Sequence, residues 1–271
     1  MSTQKLRINT ETLNGVPLNE YYLEEYQHKG LVFVQHGYQS NKNYGADYLA
    51  LDLARLGFFV VSIDAYMHGE RIEGPYLVKD EKRMLVAAPT VIRHTAIDYI
   101  KLHKKRYIIR FPKYDFIGIS MGAMIAFYLL TKTDKVKKVV PVIGTPDFMH
   151  QAKHNLTTAG LVLEEFLNDY TINYLNRISP INNLHKIKFE EMFIMNCSKD
   201  NVVPMEKSVS YYNQYKTDQM TLKIYLYLKM HQLHQSMERG QQMVLFLLRQ
   251  RRENIICWES QKFKEKSCFL F

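Results

Sequence analysis

The chain has 271 residues, of which 46% are hydrophobic and 23% charged, enough to bury a large core without disulfide or metal staples. Lys and Arg number 36 against 27 Asp and Glu, a net charge of +9. The densest basic runs, Lys101 to Arg110 and Arg249 to Arg252, accompany no nucleic-acid motif, so no nucleic-acid partner is expected. The first reads as the solvated end of a helix entering a loop and the second as the flank of the last helix. No stretch reaches the roughly 20 apolar residues of a membrane span, and the N-terminus carries no apolar signal segment. Three cysteines (Cys197, Cys257, Cys268) show no paired spacing, and Cys197 lies in an apolar run. That usage points to a reducing, cytoplasmic setting.

Residues 4–9 and 16–23 alternate around Asn14-Gly15, a hairpin turn signal. Short apolar runs then recur at 31–35, 58–63, 114–119, 136–143, 192–196 and 222–228, and continuous runs of that length suit strands buried on both faces of a parallel sheet. Leu49, Leu53 and Leu56 mark a helix that Gly57 stops, and 121–132, 205–216 and 235–250 read as further helices. Almost fifty residues separate Ile143 from Met192, too many for a simple crossover. Leu163, Leu167, Tyr170 and Tyr174 recur there at helical spacing. A small helical insertion over residues 148–178, lying across the carboxyl edge of the sheet as a lid, is expected. The reading is one α/β domain over residues 1–250: a mostly parallel central sheet with an N-terminal antiparallel hairpin, helices on both faces and a lid insertion. The tail 251–271 shows no periodicity.

The strongest chemical signal is Gly118-Ile119-Ser120-Met121-Gly122, between an apolar strand and an apolar helix. A serine in a sharp strand-to-helix turn needs small neighbours, and the turn lifts its hydroxyl clear of the sheet. His36-Gly37-Tyr38 follows an earlier strand. Its Tyr38 amide, with that of Met121, could supply the two N–H donors that acyl transfer requires, and His36 is expected to hydrogen-bond within the loop. Asp200, in Ser198 to Pro204, lies just beyond a strand, where a carboxylate can orient an imidazole. Asp147, after the preceding strand, is the alternative acid. His231 follows the last strand, and His234 is three residues on. Either could serve as general base, His231 being favoured because His234 falls in the next helix. Arg71, in Asp64 to Arg71 after another strand, could meet a substrate carboxylate or pair with a neighbouring acid. His150 and His154 stand four apart, but Gln151 occupies the place where a zinc protease needs glutamate, so no metal is expected.

The segments HGYQSNKN, SIDAYMHGER, GISMGA, SPINNLHKI and NCSKDNVVP resemble the α/β-hydrolase superfamily, in particular bacterial esterases related to dienelactone hydrolases and to the catalytic domains of prolyl oligopeptidases. The resemblance spans about residues 15–250. It implies the α/β-hydrolase fold, a Ser120–Asp200–His231 triad in the superfamily's chain order, and cofactor-free cleavage of a small-molecule ester. It also implies that the loop 64–71 borders the substrate pocket. Two departures stand out. Dienelactone hydrolases use a cysteine nucleophile where this chain has Ser120, and the usual glycine-rich approach to the histidine is here Leu228-Lys229-Met230. Amide or thioester cleavage by the same triad, and a non-catalytic binding role, are the alternative functions.

Overall fold

The computed structural model describes residues 5–72, 81–198, 200–218 and 223–229. The expected histidines His231 and His234, the helix over 235–250 and the tail 251–271 lie outside them. Strands β1 (Leu6–Leu13) and β2 (Val16–Leu23) form the hairpin. Asn14 and Gly15 make its two-residue turn, both at positive φ (52° and 76°), the combination that matches the twist of the flanking strands. The first strand runs four residues past the expected 4–9, because Leu13 pairs with Val16 in register. Its polar end, Thr10 to Thr12, lies on an edge strand, where polar side chains can face water.

After the hairpin come β3 (Leu31–Gln35), α1 (Asp47–Arg55), β4 (Phe59–Ile63), α2 (Glu81–Leu102), β5 (Tyr114–Ile119), α3 (Met121–Leu130) and β6 (Val136–Val142). Helices α4 (Phe148–Thr158), α5 (Leu163–Phe166) and α6 (Asp169–Ile178) follow, then β7 (Glu191–Cys197), α7 (Glu206–Asp218) and β8 (Lys223–Lys229). The eight strands form one sheet in the order β1-β2-β4-β3-β5-β6-β7-β8. β2 pairs antiparallel with β1 and β4, and every later pairing is parallel. The carboxyl ends of β3 to β8 therefore share one edge, and the loops that carry the candidate residues gather there.

Alternation along the strands sorts the core into two layers. Leu31, Phe33, Val61, Phe116, Val139 and Ile194 join the larger cluster with Ile92, Tyr99, Ile125, Phe127 and Phe148 of α2, α3 and α4. Val32, Val34, Val60, Ile117, Val140 and Met195 face the other way, onto Leu49, Ala50, Leu53 and Ala54 of α1. A side-chain period of two on strands buried on both faces produces this division.

Of helix α2 the sequence shows only the end, at the basic run. Its buried residues Val91, Ile92, Thr95, Ala96 and Tyr99 keep helical spacing, but Pro89, which lies inside the helix, interrupts the pattern. The basic run after it is no simple solvated end. Arg106 pairs with Glu11 (2.7 Å) and Glu20 (3.0 Å), and Arg110 lies over the rings of Phe59 and Phe111. The periodicity at Leu163, Leu167, Tyr170 and Tyr174 divides between two helices, α5 and α6. Asn168 separates them, its side chain capping α6 by accepting from the Thr171 N–H (2.9 Å).

Asp115 on β5 is 6% exposed and accepts the Lys138 N–H (3.0 Å). Burial raises its pKa to about 6, against the opposing pull of Lys137 and Lys138. A carboxyl that holds its proton more tightly when folded loses stability as pH rises from about 4 to 6, so the ionised form is a cost at neutral pH. Asp115→Asn keeps the acceptor for Lys138 and removes the charge. It is expected to unfold at higher urea than wild type at pH 8, a gain of about 2–3 kcal/mol for a shift of about two units, with the two proteins nearly equal at pH 4. An equal difference at both pH values would show that ionisation carries no penalty.

Candidate active site

Ser120 lies where β5 hands over to α3, with φ 55° and ψ −113°, a conformation that costs a non-glycine residue free energy and persists only where its surroundings enforce it. The enforcement is visible. The Ser120 N–H donates to Val142 O (2.8 Å), and its carbonyl accepts from the amides of Ala123 (2.9 Å) and Met124 (3.2 Å). A Cβ on Gly118 would lie 2.0 Å from Gly122 O, and one on Gly122 would lie 2.5 Å from Gln35 O. Backbone thus packs on backbone from β3 through the turn to the first residues of α3. The Ser120 side chain makes no capping bond to α3, so its hydroxyl is not spent on the helix.

The loop after β3 passes directly beside this turn. A Cβ on Gly37 would be 3.3 Å from Ser120 Cβ and 3.9 Å from Ser120 Oγ. Tyr38 follows it in the chain, 42% exposed, and Met121 is buried as the first residue of α3. His36 is fully buried and bonded on both nitrogens within the loop region: Nδ1–H donates to Gly37 O (2.7 Å) and Nε2 accepts the Ala65 N–H (3.1 Å). Burial is the main cause that lowers its pKa, to about 4, with a further push from His68. A neutral imidazole with both nitrogens occupied holds the loop and is no general base.

The loop after β4 is fixed by a buried charge cluster that sequence reading missed. Asp64, fully buried, accepts the amides of Lys42 (2.8 Å) and Glu70 (2.9 Å), and the 1%-exposed Lys42 ammonium pairs with both Asp64 and Glu70. Lysine is so seldom buried that nothing in the local sequence marks Lys42 for this role. Arg71 is tied into the same loop. It pairs with Asp98 (2.8 Å), donates to Asp64 O (3.2 Å) and lies 5.4 Å from the centroid of the Tyr66 ring.

Asp200 lies in the loop after β7, three residues past Cys197. Its Oδ1 accepts the amides of Val202 (2.8 Å) and Val203 (2.9 Å), and Oδ2 has no hydrogen-bond partner among the described residues. Helix α4 grips the same loop from the side. Gln151 donates to Val202 O (2.8 Å), and His154 Nε2 bonds Asn201 O (2.7 Å). His154 is therefore tied into this loop rather than left to solvent. Among the described residues no cluster of His, Cys, Asp or Glu could hold a metal. Asp147, the other carboxylate on this edge, caps α4 by accepting the His150 N–H (2.9 Å) and pairs with Lys207 (3.2 Å). Ser120 and Asp200 leave the shared edge two strand positions apart, about 10 Å at the usual strand spacing.

The strand order, the parallel run from β4 to β8 and the serine at positive φ after β5 decide the architecture. The chain has the α/β-hydrolase fold. No family model matches it. A curated relative from Bacillus subtilis (strain 168), named "Putative esterase YitV", is 24% identical over 222 residues, which cover 78% of this chain and 85% of the relative. Among solved structures, TT1662 from Thermus thermophilus superposes with a TM-score of 0.67 at 20% identity, over 90% of this chain and 97% of its own. The Pyrococcus furiosus esterase Pf2001 gives 0.60 at 16% identity over 90% and 92%. An acylaminoacyl peptidase from Pyrococcus horikoshii gives 0.66 at 15% identity, over 94% of this chain but only 43% of the peptidase. These likenesses show the fold. No helix among the described residues is long and apolar enough to cross a membrane.

The double anchoring of His36 is open to test. His36→Leu leaves the Ala65 N–H and Gly37 O without their partner, so it is expected to destabilise by about 2–4 kcal/mol at pH 7.5. A histidine whose folded pKa is depressed contributes stability that is complete above its unfolded pKa, and this is lost as pH falls from about 6.5 toward 4. The gap between wild type and variant, measured by urea unfolding, is expected to narrow over that window. A constant gap would show that the imidazole is not held neutral.

Proposed function

We propose that this protein is a serine hydrolase of carboxylic esters in which Ser120 is the nucleophile, His231 the general base and Asp200 the acid that orients it. The observation that carries the reading is the strained backbone of Ser120, with its hydroxyl not used to cap α3 and Gly37 pressed against it. Asp200 favours the role over Asp147, because Asp147 is committed to a helix cap and to Lys207 while Oδ2 of Asp200 has no partner among the described residues. β8 pairs parallel with β7, Lys229 opposite Cys197. His231 therefore follows in sequence from the strand beside the one that leads to Asp200, with His234 three residues further along.

In the reaction, His231 takes the Ser120 proton as Oγ attacks the ester carbonyl. The amides of Tyr38 and Met121 receive the developing oxyanion. His231 then returns the proton to the leaving alcohol, and water activated by the same imidazole releases the acid from the acyl-enzyme. The mechanism calls on no cofactor or metal. Arg71 is satisfied by Asp98 and by the Asp64 carbonyl, so we assign it to holding the loop at the pocket wall rather than to binding a substrate carboxylate. The helices of residues 148–178 serve as the lid over this edge.

Amide cleavage is the second reading, favoured by the peptidase superposition over 94% of this chain. The test is hydrolysis of p-nitrophenyl esters of increasing chain length, with matched anilides and thioesters, together with labelling by a fluorophosphonate. Wild type is expected to label and to turn over esters faster than anilides or thioesters. Ser120→Ala is expected to lose labelling and at least about four orders of magnitude in kcat. His231→Ala is expected to be impaired far more than His234→Ala. Equal labelling of wild type and Ser120→Ala would overturn the nucleophile, and anilide turnover matching the esters would favour the peptidase reading.

A further inference from the structure

His68, in the loop after β4, is 3% exposed and uses one of its two ring nitrogens. Nδ1 bonds Tyr66 O (3.0 Å). A carbonyl oxygen only accepts, so Nδ1 carries the ring proton and Nε2 presents a lone pair. Nε2 is buried and has no hydrogen-bond partner among the described residues. Burial lowers the His68 pKa, against the Tyr66 bond and the Asp64 charge that raise it, and the ring is neutral at neutral pH. His36 makes the contrast. Its ring lies 5.7 Å from that of His68, and both of its nitrogens are bonded.

The loop leaves His68 little freedom to find a partner by moving. Its N–H donates to Ala65 O (3.0 Å), and its carbonyl accepts the Arg71 N–H (2.9 Å). Met67 before it has φ 60° and Gly69 after it φ 56°, and a Cβ on Gly69 would fall 2.3 Å from the carboxyl carbon of the buried Asp64. A buried acceptor without a donor is rare and costly, so a lone pair held fixed in this way marks a place that a donor fills. Its surroundings lead toward the proposed nucleophile. The Tyr38 ring packs edge to face against His68, with centroids 5.8 Å apart, and Tyr38 follows Gly37, where a Cβ would lie 3.3 Å from Ser120 Cβ. Tyr38 is 42% exposed, so its side chain has room to swing, whereas the His36 ring is fixed at both nitrogens.

We propose that His68 is a specificity-determining residue whose Nε2 accepts a hydrogen bond from a hydroxyl on the ester substrate, uncovered as the Tyr38 ring turns aside. The inference rests on the reading of Ser120 as the nucleophile of an esterase. A hydroxyl suits the place better than an amide N–H. It is compact and rotates to meet a fixed lone pair. An amide brings a carbonyl that needs a donor of its own, and the nearby Nδ1–H of His36 and guanidinium of Arg71 are already engaged. An ester without the hydroxyl leaves Nε2 unpaired, the mismatch that a polar site discriminates against.

The experiment uses the full chain and esters of matched shape with the hydroxyl free or methylated: hydroxyethyl against methoxyethyl butyrate, and the methyl esters of β-hydroxybutyrate against β-methoxybutyrate. Wild type is expected to favour the hydroxyl member of at least one pair by about fivefold or more in kcat/KM. His68→Asn keeps a donor for Tyr66 O and removes the Nε2 position, and its ratio is expected to fall to within about twofold of unity. His68→Gln carries an oxygen acceptor near that position, and its ratio is expected to recover to about threefold or more. Should His68→Asn fail to fold, His68→Phe, which keeps a ring but no acceptor, carries the same expectation. The ratio within a pair cancels any general loss of activity, which is all that a structural role for His68 would produce. No preference in wild type, no turnover of either pair, a preference that survives His68→Asn, or a His68→Gln ratio no higher than that of His68→Asn would each overturn the inference. Fluorophosphonate labelling of wild type separates the two levels. Labelling at Ser120 without hydroxyl preference overturns this inference alone, and failure to label overturns the serine reading with it.

Discussion

The close passage of backbone over backbone at Gly118 and Gly122 is the constraint on which the rest depends. Helix α3 can begin beside β3 only because neither residue has a side chain: a single methyl would fall within 2.0 Å of Gly122 O or 2.5 Å of Gln35 O. That contact forces Ser120 into its strained turn, and the bonds from Val142 O and to Ala123 and Met124 keep it there. Strain is tolerated at one residue because the sheet and the helix on either side are heavily buried and cannot move apart. A serine in a relaxed turn would lie flatter against the sheet, with its hydroxyl less accessible.

Around this fixed point the edge loops are held by polar groups rather than by apolar packing. His36 staples the loop after β3 to Ala65. Asp64, with Lys42 and Glu70, ties the loops after β3 and β4 together, and Gln151 and His154 pin the loop of Asp200 from α4. Loops at a sheet edge expose too little apolar surface to define one conformation, whereas a buried, fully bonded polar group is costly to displace. The design has an electrostatic consequence. His36 is kept neutral by burial, so this loop is held by an imidazole that carries no charge near neutral pH.

The helical segment between β6 and β7, the proposed lid, also supports a neighbouring loop. Its first helix, α4, is anchored by the Asp147 cap and the Asp147–Lys207 pair at one end and grips the Asp200 loop along its side. Beyond it, α5 is a single short turn, and Val162 and Tyr170 near its two ends are 54% and 78% exposed. A firmly held root and a lightly packed outer part suit the lid role proposed for this segment.

Strand positions, the parallel series and the serine turn were legible in the sequence because each rests on local pattern: apolar runs five to eight residues long, glycine where backbone must pass backbone, and Asn14-Gly15 where φ must be positive. The extent of β1 and that of α2 were not. The polar end of β1 lies on the sheet edge, where alternation is weak, and α2 is a helix whose pattern Pro89 interrupts although its neighbours bury Val91, Ile92 and Tyr99. The same division runs through the candidate site. Sequence singled out Ser120 and Asp200 by their places after strands, but only the folded arrangement commits Asp147 to a cap, Arg71 to Asp98 and Lys42 to a buried pair. Those roles depend on which partners lie within about 3 Å across elements distant in the chain, and local sequence pattern does not encode that distance.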